Sequence, residues 1–449
     1  MLKLLPKPNT FLMQNRYTLE LHQVTLENLD LVGGKNASLG EMMRNLATLG
    51  ISIPLGFAIT VDAYWEFLKH NKLEERIRKA IEEIDMNNLI SLRKGGTQVR
   101  QMIRNGKFPI ALEQEIIDRY KQLSLRYNQD ATDVAVRSSA TAEDLPDTSF
   151  AGQQETYLNV RGPEGILESV RNCFASLFTD RAISYREHFK FDHFDVALSV
   201  CIQKMVRSDL ASSGVAFSLD TESGFKNAVI INGSYGLGEM LVQGAVSPDE
   251  FIVFKPTLEK GFASIIEKNL GTKDRKMIYG DDPGQLTKIV NVQRDAQKKF
   301  CLEDDQVLEL AQWVCAIEKY YSTKKGHWCP MDIEWAVDGL TNQLFIVQAR
   351  PETIHSRKDE TQLVEYKICE ANPEKRILKG IAVGDKIATG RVVIMYSLDG
   401  RDGSHDGIDF HEGDVLVTEM TDPDWEPIMK KASAIVTNKG NGRLVTTLP

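Results

Sequence analysis

Two short stretches on either side of residue 340 carry the side chains with the clearest capacity for chemistry. The run MDIEW alternates apolar and polar residues, which predicts a strand with Asp332 and Glu334 on one face. Turn signals follow, and the run LFIVQAR predicts a second strand with Gln348 and Arg350 on one face. If these strands pair, their polar groups meet on one surface, which suits Mg²⁺ bound together with phosphate oxygens. A hairpin with a plain polar outer face fits the same pattern.

Two further runs could bind phosphate groups. The run VGGKNASLG places Lys35 after two glycines at the start of a predicted helix, 37–49, where an anion is favoured. The run VAVRSSATAED predicts a strand that delivers Arg137 into a hydroxyl-rich loop, and a guanidinium group is well shaped for phosphate oxygens. The small residues around Gly152 could add backbone N–H donors. A solvated lysine after a turn, and a surface arginine paired with the acidic residues that follow it, remain alternatives.

The composition narrows the classes of protein to which this chain can belong. Its 449 residues include 54 Lys and Arg against 63 Asp and Glu, a net charge of −9, which argues against nucleic acid as the main partner. No segment approaches the ~20 apolar residues that span a bilayer, and the first residues make a poor signal peptide. The six scattered cysteines contain no Cys-x-x-Cys pair, so we expect neither disulfides nor a zinc site. We therefore expect a cytoplasmic protein without membrane or nucleic-acid partners.

The hydrophobic periodicity predicts an α+β protein. Helical spacing covers residues 63–84, 112–127, 165–189 and 303–321, each of which we interpret as one helix. Short β-rich runs separated by turn residues dominate from about residue 196 onwards, until a charged stretch with few apolar residues interrupts them. We divide the chain accordingly into a first part (1–195), a second part (196–355), a linker (356–379) and a smaller third unit (380–449).

The order of these runs along the chain resembles the nucleotide-binding region of the phosphoenolpyruvate synthase family (pyruvate, water dikinases) and of the related pyruvate, phosphate dikinases. The run TEMTDPDW is similar to the start of that family's phosphohistidine domain. The resemblance implies a two-lobed ATP-grasp region at 1–195 and 196–355, followed by a truncated α/β swivelling, phosphohistidine-like domain at 380–449. It also implies a phosphotransferase reaction in which ATP, pyruvate and water give AMP, phosphoenolpyruvate and phosphate. The stretches that match are residues 32–42, 134–156, 236–249, 332–353 and 414–440.

The resemblance assigns a role to each candidate residue, with ATP as the substrate and Mg²⁺ as the cofactor. The residues implied to bind the ATP phosphates are Lys35, Arg137, Gly152 and Arg350. The residues implied to bind the base and the ribose are Gln203, Met205, Val206 and Glu334. The residues implied to hold the metal are Asp332, Glu334 and Gln348.

The end of the chain departs from the family's pattern. The family continues to a phosphorylated histidine, whereas this chain reads NGRLVTTLP after Gly440 and has no histidine beyond His411. We therefore assign no catalytic residue and expect a chain that binds ATP without completing the reaction, since pyruvate would enter only through further C-terminal parts. The altered tail is typical of a frameshift or a premature end. The ATP-binding part of another dikinase (rifampin phosphotransferase or glucan water dikinase type), a non-catalytic ATP-binding module, and homodimer formation remain open.

Overall fold

The computed structural model describes residues 16–86, 88–141, 144–145, 148–149, 155–221, 223–280, 285–352, 387–396, 410–421 and 425–437. Gly152, the expected linker 356–379 and the tail beyond residue 437 lie outside the described residues. The helices are α1 (Leu29–Asn45), α2 (Val61–His70), α3 (Glu74–Glu82), α4 (Leu89–Arg104), α5 (Ile110–Arg126), α6 (Gly162–Ser176), α7 (Asp180–His188), α8 (Glu239–Val242), α9 (Lys255–Leu258), α10 (Arg294–Gln297), α11 (Asp304–Lys325) and α12 (Glu426–Met429). The strands are β1 (Thr18–Glu20), β2 (Gly56–Ile59), β3 (Val134–Ala140), β4 (Asp144–Leu145), β5 (Thr148–Ser149), β6 (Thr156–Val160), β7 (Leu198–Lys204), β8 (Ser212–Phe217), β9 (Ala228–Tyr235), β10 (Asp249–Phe254), β11 (Ile265–Asn269), β12 (Arg275–Tyr279), β13 (Thr287–Asn291), β14 (Met331–Val337), β15 (Leu344–Pro351), β16 (Val392–Ile394), β17 (Val415–Thr418) and β18 (Ala434–Thr437). This mixture of helices and strands confirms the predicted α+β class.

The first compact unit is built around an antiparallel sheet with the strand order β1-β2-β7-β3-β6. Its middle strand β7 is buried along six of its seven residues, because helices α2 and α6 pack against the sheet. Tyr64 and Phe67 of α2 contact Phe174 of α6 at ring-centroid distances of 5.3 and 5.4 Å. The unit comprises Met1–Ala211, Met277–Val290 and Glu334–Arg350.

The first unit extends past the expected boundary between residues 195 and 196, and it also includes Met277–Val290 and Glu334–Arg350 from the expected second part. β7 is hydrogen-bonded along both edges, since Cys201 lies opposite Ala58 of β2 and opposite Arg137 of β3. Without β7, both neighbouring strands would expose unpaired backbone groups. The first unit therefore extends to Ala211.

Two of the predicted helices each consist of two shorter ones. Residues 63–84 divide into α2 and α3, because Lys72 between them adopts a left-handed φ of 51°. Residues 165–189 divide into α6 and α7, because the hydroxyl of Thr179 accepts a hydrogen bond from the backbone N–H of Ala182 (3.3 Å) and so starts a new helix. The apolar spacing continues through both breaks, so periodicity alone does not reveal them.

The second compact unit contains the antiparallel strands β11, β10, β9 and β8 in that order. The backbone N–H of Ser218 donates a hydrogen bond to the carbonyl of Met331 (3.0 Å), where β14 begins. β14 begins in the second unit at Met331, and its residues from Glu334 onwards, together with β15 up to Arg350, belong to the first unit. The second unit comprises Ser212–Lys276, Asn291–Ile333 and Pro351–Pro449.

Helix α11 packs against the strands of the second unit and confirms the helix predicted at 303–321. It begins with a capping box formed by Glu303 and Gln306 and ends at Gly326, whose φ of 72° suits glycine. The buried side chains of this helix are Val307, Leu310, Ala311, Trp313, Val314, Ile317 and Tyr321.

The last described residues form a small parallel sheet with the order β16-β17-β18. It lies within the range of the expected third unit, and a separate apolar cluster covers it. That cluster consists of Met395, Phe410, Leu416, Trp425 and Ile428. Across the part of the chain that the structure describes, no helix is both long and apolar enough to cross a membrane.

Candidate functional site

Gly33 allows the turn before Lys35 to lie directly against strand β3. Gly33 has a φ of 73° inside α1 and kinks that helix, and a Cβ atom here would overlap the carbonyl and the hydroxyl of Ser139. The backbone N–H of Asn36 donates to the Ser139 hydroxyl (3.3 Å), and the Asn36 side-chain amide donates to the hydroxyl of Ser199 on β7 (3.0 Å). The chain on either side of Lys35 is therefore fixed to two strands of the first unit's sheet.

Arg137 projects from β3 towards the β14–β15 hairpin. Its Nη1 donates to Oε2 of Glu334 and to the carbonyl oxygen of Val347, both at 3.3 Å. The two side chains of the ion pair remain 17 % and 29 % exposed. Within the described residues, the Arg137 Nε atom has no hydrogen-bond acceptor. The ion pair is therefore partly open to solvent, while the Nε atom itself is buried.

The charges of Lys35 and Arg137 both affect the pKa of one buried thiol, that of Cys201. Burial raises the pKa of Cys201 to about 12, and the positive charges of Arg137 and Lys35 oppose that rise. Burial also raises the pKa of Cys173 on α6, again opposed by the charge of Lys35. Arg137 lies opposite Cys201 on the neighbouring strand, and the turn at Lys35 is hydrogen-bonded to Ser139 and Ser199 of the same two strands, so both stretches meet at this part of the sheet. The thiols below them stay neutral at neutral pH.

The hairpin strands have the predicted alternation on β14. Asp332 and Glu334 are half-buried, whereas the residues between and beside them are buried. On β15, Gln348 and Arg350 are half-buried on either side of the buried Ala349, so these two polar side chains share a face. The apolar neighbours of the acidic residues are Met331, Ile333 and Trp335.

The donors on this hairpin fit magnesium better than a soft metal. Carboxylate and amide oxygens from Asp332, Glu334 and Gln348 are the hard ligands that Mg²⁺ prefers, but they are too few to fill its coordination shell. Phosphate oxygens and water complete the shell in such sites. In the described part of the chain, no group of three or more His, Cys, Asp or Glu residues could hold a metal ion by itself. The metal role of these residues stays a prediction.

The residues predicted to hold the base lie at the end of β7. Gln203 is buried, lies opposite Ala135 of β3, and donates from its side-chain amide to the carbonyl of Pro54 (3.3 Å). Met205 and Val206 follow the strand and are also buried. Cys201, beside Lys35 and Arg137, is only two residues before Gln203 on the same strand. The predicted base residues therefore follow closely on the β7 position that lies opposite Arg137.

Sequence reasoning missed a polar network that surrounds this segment. It consists of Asp133, Lys204, Arg207 and Tyr279. Asp133 is separated from Lys204 by 71 positions and from Tyr279 by 146, so no local pattern could indicate the contacts. The one available signal is an acidic residue immediately before the strand that carries Arg137.

Comparison with known proteins identifies the family of this chain. Residues 29–368 match the family "Pyruvate phosphate dikinase, AMP/ATP-binding domain", and residues 410–443 match "PEP-utilising enzyme, mobile domain". The chain is 59 % identical over 423 residues to the phosphoenolpyruvate synthase of Aquifex aeolicus, which covers 94 % of this chain and 49 % of that protein.

Two further relatives carry the same name. The phosphoenolpyruvate synthase of Synechocystis sp. is 51 % identical over 422 residues, covering 93 % of this chain and 51 % of that protein. The phosphoenolpyruvate synthase of Escherichia coli is 49 % identical over 421 residues, with the same two coverages. The chain spans about half the length of the curated relatives it matches. On these matches, the chain belongs to the family of the pyruvate phosphate dikinase AMP/ATP-binding domain.

Proposed function

We propose that this chain is the ATP-binding portion of a phosphoenolpyruvate synthase, with a two-lobed ATP-grasp arrangement. The observation that carries the proposal is that Arg137 on β3 pairs with Glu334 of the β14–β15 hairpin, while the turn at Lys35 is hydrogen-bonded to Ser139 of the same strand. Two cations on one surface suit a polyphosphate chain, because charge-assisted hydrogen bonds are about twice as strong as neutral ones. The family reaction that this portion would serve converts ATP, pyruvate and water to AMP, phosphoenolpyruvate and phosphate.

In this proposal, different residues of the chain bind different parts of the nucleotide. Lys35, Arg137 and Arg350, with Gly152, bind the phosphates, and Glu334 binds both the ribose and the metal. The metal joins Asp332 and Gln348 to the phosphates and supplies charge neutralisation. Because Arg137 holds Glu334 by an ion pair, the same contact that orients the phosphate ligand also orients the acidic group.

The segment at the end of β7 completes the proposed site. Gln203, Met205 and Val206 are buried and largely apolar, which suits the flat face of a purine base. The rifampin and glucan dikinase alternatives and the non-catalytic module gain no support from the relatives named above.

Calorimetric titration of Mg·ATP into the 449-residue chain tests the proposal. We expect Arg137→Ala to weaken binding by roughly tenfold or more, since a hydrogen bond to a charged group contributes about 1.5–3 kcal/mol and 1.4 kcal/mol is tenfold. Arg78→Ala is the matched control, because Arg78 is an exposed arginine of the same unit that pairs with Asp192. It should leave the affinity unchanged.

A second experiment on the same proposal removes magnesium with a chelator. The affinity for ATP should fall further in the wild type than in Glu334→Gln, because that variant has already lost an anionic metal ligand. A wild-type chain that does not bind ATP, or an Arg137→Ala variant that binds it as tightly as the wild type, would contradict the proposal.

A further inference from the structure

Asp133 connects the start of β3 to the segment that follows β7. Its backbone carbonyl accepts a hydrogen bond from the N–H of Met205 (3.0 Å), and its carboxylate accepts one from Nζ of Lys204 (2.8 Å). Asp133 is only 2 % exposed. The two residues between Gln203 and Val206 are thus held by one buried acidic residue.

Tyr279 brings a third element into this arrangement. It lies on the β12–β13 hairpin, and its hydroxyl donates to the other carboxylate oxygen of Asp133 (2.6 Å). The hairpin is itself fixed to β6, because the side-chain amide of Asn159 donates to the carbonyl of Leu286 (2.9 Å). All these residues belong to the first unit. Asp133 therefore links the β7 segment to this hairpin.

The protonation states suit these contacts. Burial acts to raise the pKa of Asp133, but hydrogen bonds from Lys204 and Tyr279 outweigh it and lower the pKa. Burial and the neighbouring Asp133 charge raise the pKa of Tyr279. At neutral pH the carboxylate is charged and the phenol keeps its proton, so the donor and acceptor remain matched.

Arg207 fixes the far side of the same segment. Its guanidinium group lies over the Tyr279 ring, 4.6 Å from the centroid, and makes a bidentate pair with Asp209 (2.8 and 2.9 Å). Its backbone N–H donates to Asp338 (3.2 Å), and its carbonyl accepts from the N–H of Gly339 (3.1 Å). The segment from Lys204 to Arg207 is therefore held by a strand, a hairpin and the turn between β14 and β15.

We propose that Asp133 and Tyr279 are positioning residues that hold the segment Gln203–Val206 in the geometry needed to bind the base of the nucleotide. They would govern affinity for the base, and not affinity for the phosphates. The phosphate cations are fixed by other contacts, since Ser139 and Ser199 hold the turn at Lys35. The inference rests on the proposed function, because it requires that the chain bind ATP.

The test compares a ligand with a base and a ligand without one. Mg·ATP and Mg·tripolyphosphate are titrated into the full chain and into Tyr279→Phe, which removes only the hydroxyl. We expect ATP affinity to fall by up to about tenfold, because losing the hydrogen bond to the Asp133 carboxylate lowers the population of the binding-competent segment, while tripolyphosphate affinity stays within about twofold. The preference for ATP over GTP should fall with it, because a loosened segment discriminates bases less well.

Two further variants separate positioning from general structural damage. Asp133→Asn keeps a side-chain oxygen as acceptor but loses the charge, so we expect the same selective loss for ATP. Tyr235→Phe is the matched control, since Tyr235 is also partly buried and donates its hydroxyl to a backbone carbonyl, that of Ala296. It should change neither affinity. Arg137→Ala should weaken both ligands alike.

The two proposals fail in different ways. A wild-type chain that binds neither ATP nor tripolyphosphate overturns the proposed function, and the positioning role falls with it. If the wild type binds ATP but Tyr279→Phe leaves the ATP-to-GTP preference unchanged, or weakens both ligands equally, the positioning role is wrong while the proposed function stands.

Discussion

Arg137 in the first unit and Lys273 in the second are both cations paired with a carboxylate, yet their surroundings differ. The Arg137–Glu334 pair is partly exposed, with 3.3 Å between the charged groups. The side chains of Lys273 and Asp249 are both 0 % exposed. The first pair is partly open to solvent, whereas the second is closed to it.

The hydrogen bonds of the two pairs differ in the same way. Asp249 accepts from the N–H of Gly271 (2.9 Å) and of Cys301 (2.7 Å), and Lys273 donates to the carbonyl of Gly271 (2.9 Å) as well as to Asp249. Arg137, by contrast, has a buried Nε without an acceptor among the described residues. Burial and complete hydrogen bonding, not the type of residue, therefore distinguish a structural ion pair from a pair suited to binding.

The largest expected effect on stability comes from breaking the buried Lys273–Asp249 pair. Lys273→Met should lower the free energy of unfolding by about 3–5 kcal/mol, because it leaves the Asp249 charge buried without its counterion. Urea unfolding followed by circular dichroism measures this loss. The exposed pair of the same unit supplies the control, since Lys268 and Asp304 are 36 % and 61 % exposed and Lys268→Met should cost at most about 1 kcal/mol.

A double variant sharpens this prediction. Lys273→Met combined with Asp249→Leu removes both charges and should be less destabilising than Lys273→Met alone. Equal losses for Lys273→Met and Lys268→Met would mean that burial does not separate the two kinds of pair.

A smaller effect on stability is expected from His193, which lies next to a buried cation of the first unit, Arg186. Arg186 is fully buried, and its Nε donates to Nδ1 of a neutral His193 (3.0 Å) in place of a carboxylate. Burial, followed by the charge of Arg186, lowers the pKa of His193 from 6.5 to about 4. The unfolded chain therefore binds this proton at higher pH than the folded chain does, and stability falls as the pH falls from about 6.5 to about 4.

The loss should amount to about 2 kcal/mol between pH 7 and pH 4.5, allowing for solvent screening at this partly exposed ring. His193→Gln keeps an acceptor for Arg186 and does not titrate, so its unfolding free energy should change less over that interval. His70→Gln, at an exposed position, should behave as the wild type does. An identical pH dependence in His193→Gln would show that this ring does not couple to folding.

The smallest effect on stability is expected where the effect on binding is largest. Arg137→Ala should change the free energy of unfolding by no more than about 1 kcal/mol, because its ion pair is partly exposed. The same urea titration measures it. A loss comparable to that of Lys273→Met would remove the distinction between the two pairs and make Arg137 a structural residue.

Much of the architecture was accessible from local patterns. Alternation on β14 indicates which side chains are buried, and the 3.6-residue spacing identifies α11, because both periods follow from backbone geometry. The breaks at Lys72 and Thr179 were not accessible, since the apolar stripe continues through them. The boundary at residue 195 also shifts, because β7 pairs with strands on both sides.

The sequence by itself determined the types of chemistry available: two cations in separate runs and two carboxylates on one strand face. Only the tertiary structure decided which groups meet. Arg137 pairs with Glu334, 197 positions away, and Asp133 meets Tyr279 across 146 positions. Contacts between residues so far apart in the sequence depend on how the sheet, the hairpins and the turns pack together. The local sequence around each residue does not indicate that packing.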